Sequence, residues 1–205
     1  MKTLEKHFNH CMENFEKDIL TGMVIAPYVQ KATALRGIKR YVGGNQFRHA
    51  LGTYAILIDY HYAIPVLLKA SVIHDLFEDV KCVSYDEIRA IDADGSQVLT
   101  LVLEVTRRKT ETKDEFLKRI LIEGSENAKI LKCADRISNL TDLHPDIFDK
   151  EFIRNYINET KKWVIPMAMQ VNKDMQFELE DLIKRRDTNL KFSSSIWPLK
   201  RKNGD

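Results

Sequence analysis

Between residues 71 and 80 the chain reads SVIHDLFEDV. An apolar lead-in is followed by His74, Asp75, Glu78 and Asp79, three carboxylates and one imidazole within six positions. Packing gives no reason to seat so many ionisable groups at the edge of an apolar run. An imidazole beside a carboxylate is a mixed nitrogen and oxygen donor set that suits a divalent metal. On a continuous helix, residues four apart are neighbours, so His74 and Glu78 share one face and Asp75 and Asp79 the adjacent one. The spacing predicts two stacked layers. His74 and Asp75 can hold a metal; Glu78 and Asp79, roughly 5–6 Å away, can orient water or move protons.

Two ligands hold a metal weakly, so partners are expected elsewhere. His49 lies one predicted helix earlier, in NQFRHALGTYAIL, and Asp135 lies in ILKCADRISNL, within an apolar-periodic helix. A carboxylate on such a face needs something to pair with it. The expected ligand set is His49, His74, Asp75 and Asp135, with Asn139 four residues after Asp135 on the same face. Taken singly, each has a plainer reading. His49 could be a core or surface histidine, Asp135 a salt-bridge partner of Arg136, and the acidic group a solvated helix end beside Lys81. Their order and their helical setting favour the joint reading. His61 is read as structural, His7 and His10 as too near the terminus to be ligands, and His144 is left open.

The elements that must position these groups read as helices. Apolar residues at helical spacing mark LEKHFNHCMENFEKDIL, YVQKATALRGIKR, residues 46–60, KDEFLKRIL and ENAKILKCADRISNLTDL. Pro65 suits the first turn of a helix that runs into the HD motif. Ser84 and Glu87 have capping-box spacing. VLTLVLEVT is β-branched but lies between helical segments and is read as a buried helix. Two long helices are expected near 149–171 and 173–186, with loops at YVGGNQ and DADGSQ. The expectation is an all-α fold in one domain over residues 1–187, with 1–22 as an N-terminal helical extension and 188–205 as a mobile basic tail.

Composition limits the function classes. The 205 residues are 44% hydrophobic and 30% charged with a net charge of +2, which argues against a dedicated nucleic-acid binder but not against a local site for an anionic small molecule. Three cysteines without a CxxC pattern make a disulfide framework or a thiolate zinc site unlikely to form and fit a reducing, cytoplasmic setting. No apolar run is long enough to span a bilayer, and the first residues have no signal-peptide core.

The ordered set of a His, an HD pair and a later Asp resembles the HD-domain metal-dependent phosphohydrolases. HDLFED is similar to the HDxxED form of RelA/SpoT-type alarmone hydrolases, LKCADRISNL to that family's K-x-A-D-R-x-x-N segment, and ATALRGIKR to its A-x-x-x-G-x-x-R helix. The resemblance spans about residues 28–185. It implies an HD-domain helical bundle with one divalent ion per chain, Mn²⁺, on His49, His74, Asp75 and Asp135. It also implies catalytic roles for Glu78 and Asp79 and substrate contacts from Arg40, Lys39, Tyr41, Arg48 and Asn139.

The implied reaction is removal of the 3′-diphosphate of ppGpp or pppGpp. Four positions depart from the family pattern, all around the substrate mouth. Ala50 stands for Pro, Tyr41 for a basic residue, Leu35 near a usual His, and Gln46 for an aromatic. The alternative is therefore an HD phosphohydrolase acting on another phosphorylated nucleotide, such as a dNTP or NADPH. No segment resembles the synthetase or regulatory domains of the family. The expected partner is a phosphorylated guanine nucleotide, with no membrane, no dedicated nucleic-acid surface, and self-association left open.

Overall fold

A computed structural model describes residues 14–196 of the chain, and their only non-helical pairing is an isolated bridge between Lys39 and Asn45. The fold is the expected all-α bundle. In chain order it contains α1 (described over 14–22), α2 (Ala26–Ala32), α3 (Gln46–Asp59), α4 (Pro65–Ile73), α5 (Leu76–Asp79), α6 (Tyr85–Arg89) and α7 (Gly95–Val105). There follow α8 (Lys113–Glu123), α9 (Glu126–Thr141), α10 (Lys150–Glu159), α11 (Ile165–Val171) and α12 (Lys173–Ile196). No helix among the described residues is long and apolar enough to cross a membrane.

α9 is the central element. It packs on α3, α7, α11 and α12, while α4 lies against α2, α3 and α7. Leu57, Leu67, Leu68, Ile73, Leu131 and Ile137 are essentially without solvent contact, each stabilising the fold by roughly 1.5–3 kcal/mol. VLTLVLEVT is helical, as read, and lies within α7, whose Val98, Leu99, Leu101, Val102 and Val105 enter this core.

Several boundaries differ from the periodicity. The helix predicted over 28–40 tightens into a 3₁₀ turn at Thr33–Gly37 and then extends, so that Arg40 enters the cleft from a short loop. The loop closes through Gly43 and Gly44, both at positive φ, a conformation glycine takes without a Cβ penalty. The helix through the HD motif is interrupted at His74–Asp75. The His74 ring N–H donates to the Ser71 carbonyl at 2.7 Å, the acceptor that the Asp75 amide would use in an unbroken helix. Ser84 accepts the Glu87 amide, but the Glu87 side chain turns to Lys31, leaving half a capping box. The full box is at Thr112 and Glu115. Between α10 and α11 the chain widens into a π turn at Thr160–Val164, just before Pro166, whose ring would crowd the carbonyl four residues back in a regular helix. The helix expected to end near 186 continues to Ile196. His7, His10, the first part of the N-terminal extension and the end of the basic tail lie outside the described residues.

Candidate metal centre and active-site cleft

α3, the α4–α5 junction and α9 bring His49, His74 and Asp135 together in the core, with one ligand atom of each within 4.8 Å of the others. His49 Nε2 is 3.0 Å from Asp135 Oδ1, and His74 Nε2 is 3.7 Å from the same oxygen. Asp75 faces both rings, at 3.3 Å from His74 Nε2 and 3.7 Å from His49 Nε2. All four predicted ligands thus share one point. The opposite ring nitrogens are anchored outside the cluster, His74 Nδ1 on the Ser71 carbonyl and His49 Nδ1 by Ser138 Oγ at 2.9 Å. A carbonyl can only accept, so His74 carries its proton on Nδ1 and turns a lone pair inward from Nε2, the form a metal ligand takes.

His74 Nε2 is buried and has no hydrogen-bond partner among protein groups. Such an atom is costly unless something outside the protein pairs with it. Burial presses the His74 imidazolium down, but the Asp75 and Asp135 carboxylates outweigh it and raise the pKa from 6.5 to about 9. The field that draws a proton to Nε2 also draws a cation. Burial would push Asp135 up, yet Lys132 and the two imidazoles hold it well below the ordinary carboxylate range. Lys132 Nζ donates to Asp135 Oδ2 at 2.7 Å, which leaves Oδ1 for the cluster. The donor set and the unpartnered nitrogen fit a divalent ion.

Around this point runs a chain of hydrogen bonds. Asn139 donates to Asp135 Oδ1 at 2.6 Å and accepts from Arg40 at 2.9 Å. Arg40 also donates to Gln46 Oε1 at 2.9 Å, and the Gln46 amide donates to Asp79 Oδ2 at 2.8 Å. A ligand carboxylate and a candidate acid/base carboxylate are therefore linked through three side chains. Burial raises the Asp79 pKa, with Asp75 adding to it against the hydrogen bond from Gln46. Glu78 is exposed and accepts the Arg107 amide at 2.7 Å. Asp79 keeps its helical relation to Asp75, whose carbonyl takes the Asp79 amide at 3.0 Å; the Glu78 amide bonds the same carbonyl, so Glu78 does not stack on His74 as a continuous helix would place it.

Arg40 and Arg48 line one small cavity, of about 190 Å³, with His49 and Asp142. Lys39 and Tyr41 are exposed on the loop that carries Arg40. On the other side of Glu78 and Asp79 lies a larger groove, about 990 Å³, lined by Lys81, Arg107, Arg108 and Lys109 among others. His61 is exposed beside Glu16, away from the cluster. His144 is exposed too, and its backbone carbonyl receives the Ile147 and Phe148 amides. Gln46 and Lys132 escaped the sequence reading. Gln46 drew notice only as a missing aromatic, and Lys132 had a signal in its position three residues before Asp135.

No family model matches the sequence. The human protein named guanosine-3′,5′-bis(diphosphate) 3′-pyrophosphohydrolase MESH1 is 34% identical over 128 residues, 59% of this chain and 69% of that protein. Its Drosophila melanogaster namesake is 31% identical over 127 residues, 58% and 68% of the two chains. A solved structure described as a metazoan ortholog of SpoT that hydrolyzes ppGpp superposes with a TM-score of 0.69 at 24% identity, covering 79% of this chain and 94% of that one. That likeness establishes the fold. The helical bundle with a buried His–His–Asp triad is that of an HD-type hydrolase. Within that class, the chain belongs to the MESH1 3′-pyrophosphohydrolase family.

Proposed function

We propose that this chain hydrolyses the 3′-diphosphate of ppGpp or pppGpp, giving GDP or GTP and pyrophosphate, with one Mn²⁺ held by His49, His74, Asp75 and Asp135. The observation that carries this reading is the convergence of those ligand atoms around the unpartnered His74 Nε2. The ion, when bound, lowers the pKa of a water so that hydroxide is available near neutral pH. Asp79, steered by Gln46, and Glu78, fixed on the Arg107 amide, orient that water and take up its proton. Its oxygen joins phosphorus as the bond from the ribose 3′ oxygen to the diphosphate breaks, and that oxygen receives a proton. Arg40, with Arg48 and Lys39, faces the phosphate charge through guanidinium and ammonium donors. Asn139, already bonded to Asp135 and Arg40, is placed to touch the sugar. Tyr41 belongs to the same mouth. A cytoplasmic location goes with this reading.

The test is a product assay. Purified protein with Mn²⁺ should release pyrophosphate and GDP from ppGpp in equal amounts, and a chelator should stop it. Gln46 and Tyr41 at the mouth favour one second reading, in which the same site takes another phosphorylated nucleotide such as a dNTP or NADPH. Survival of ppGpp while one of these is consumed would decide for it.

A further inference from the structure

An aromatic file borders the cleft and has no part in the chemistry above. Phe148, Phe152 and Tyr156 stand four residues apart along the start and body of α10. Phe148 and Phe152 stack with centroids 5.0 Å apart at 15°, and Phe152 and Tyr156 at 6.0 Å and 25°. Tyr41, on the loop beside Arg40, completes the file at 6.2 Å from Phe148. The other face of α10 sends Ile153 and Ile157 into the core, so the aromatic face is not what anchors the helix.

The two ends of the file differ. At the inner end, Arg136 lies 4.1 Å and Lys113 4.8 Å from the Tyr156 ring centre, so protein cations already cover that π surface. Burial raises the Tyr156 phenol, and Arg136, Asp135 and Lys132 all act on it, which puts this end beside the metal-ligand helix. At the outer end, Tyr41 is 88% exposed and Phe152 43%. An aromatic ring left that open, on a loop whose neighbouring Arg40 is tied to Asn139 and Asp142, gains nothing from packing. Lys39 and Arg48, both exposed, flank the same mouth.

We infer that Tyr41, backed by Phe148 and Phe152, is the platform on which the substrate's nucleobase stacks. This rests on the proposed nucleotide hydrolysis and assigns the base-binding part of that site. A π face accepts any base, and a purine covers it better than a pyrimidine. The cations around Arg40 then meet the phosphates while the ring meets the base, so one loop reads both halves of the nucleotide. Selectivity at this mouth comes from stacking area more than from base-edge hydrogen bonds.

The experiment compares wild type with Tyr41→Ala, Tyr41→Phe, Tyr41→Trp and Phe148→Ala. Each is assayed on ppGpp and on the corresponding ribose bis(diphosphate) that lacks a base. Tyr41→Ala should lower kcat/KM on ppGpp by roughly ten- to a hundredfold, through KM, the range of one lost base–aromatic stack. Its loss on the baseless substrate should be at least tenfold smaller. Phe and Trp at position 41 should restore the difference, and Phe148→Ala should reproduce part of the defect. Equal losses on both substrates, or no loss on ppGpp, would overturn the platform. If wild type ignores ppGpp but consumes another nucleotide, the alarmone reading fails, and the same variants on that nucleotide and its baseless form decide the platform. If wild type consumes no nucleotide, both fall.

Discussion

Two buried ionic clusters flank α4, five residues apart, and they are completed differently. At Lys69 the ammonium donates to Asp92 at 2.7 Å and Asp94 at 2.6 Å, and Asp92 also accepts the Tyr28 hydroxyl at 2.8 Å. The protein supplies both signs there, and the polar groups are paired. At His74 the protein converges two imidazoles and two carboxylates, with Lys132 on the far oxygen of Asp135, and His74 Nε2 remains unpartnered. The first cluster is finished by the chain itself and serves the fold. The second is finished only by a cation from outside, and that distinguishes a site from a structural salt bridge.

Substitutions can break this contrast from either side. The largest effect is expected from Glu78→Gln combined with Asp79→Asn, which keeps size and hydrogen-bonding atoms but removes the proton acceptors. Turnover should fall by roughly 10²- to 10⁴-fold, the worth of a positioned acid or base, while metal content stays at the wild-type level. Loss of metal with activity would make one of these carboxylates a ligand. Lys69→Met should cost the fold about 3–5 kcal/mol, since it leaves Asp92 and Asp94 without their cation, yet the folded protein should turn over substrate normally. Denaturant melts and assays well below the midpoint separate the two. Unchanged stability would remove the structural half of the contrast.

Arg40→Ala is expected to reduce kcat/KM by the equivalent of about 1.5–3 kcal/mol, through lost charged donors. It also cuts the link from Asn139 to Gln46 and Asp79. Gln46→Ala, which breaks only the second half of that link, should cost less. An equal loss from both would mean Arg40 acts mainly by holding Gln46.

The smallest effect is a pH dependence. His74, raised from 6.5 to about 9 in the metal-free protein, stabilises the fold fully below 6.5, and that stability is lost as pH rises through 9. Metal affinity should move the opposite way, increasing over the same range because ligand and proton compete for Nε2. Melting curves with and without Mn²⁺ between these pH values should converge toward acid. Parallel curves would show that His74 does not titrate with the site.

Ligand types and their spacing made much of the second cluster legible, because a histidine or aspartate on an apolar helical face needs an explanation that periodicity exposes. His49, the HD pair and Asp135 are all of this kind. The Lys69 cluster was not legible. A lysine in VLLKASVI looks like an interruption of an apolar run until Asp92 and Asp94 arrive from the loop before α7. The break at His74–Asp75 was hidden for a similar reason, since side-chain competition for the Ser71 carbonyl leaves no mark in the hydrophobic pattern. Gln46 shows the same limit, because its role exists only once the loop turns Arg40 back toward α3.

The most direct measurement is the metal stoichiometry of wild type, His74→Ala, Asp135→Ala and Lys69→Met, by elemental analysis of folded protein after equilibration with Mn²⁺. One ion per chain is expected in wild type and Lys69→Met, with most of it lost in His74→Ala and Asp135→Ala. Full metal content in the last two variants would contradict the assignment of the buried cluster as the metal centre.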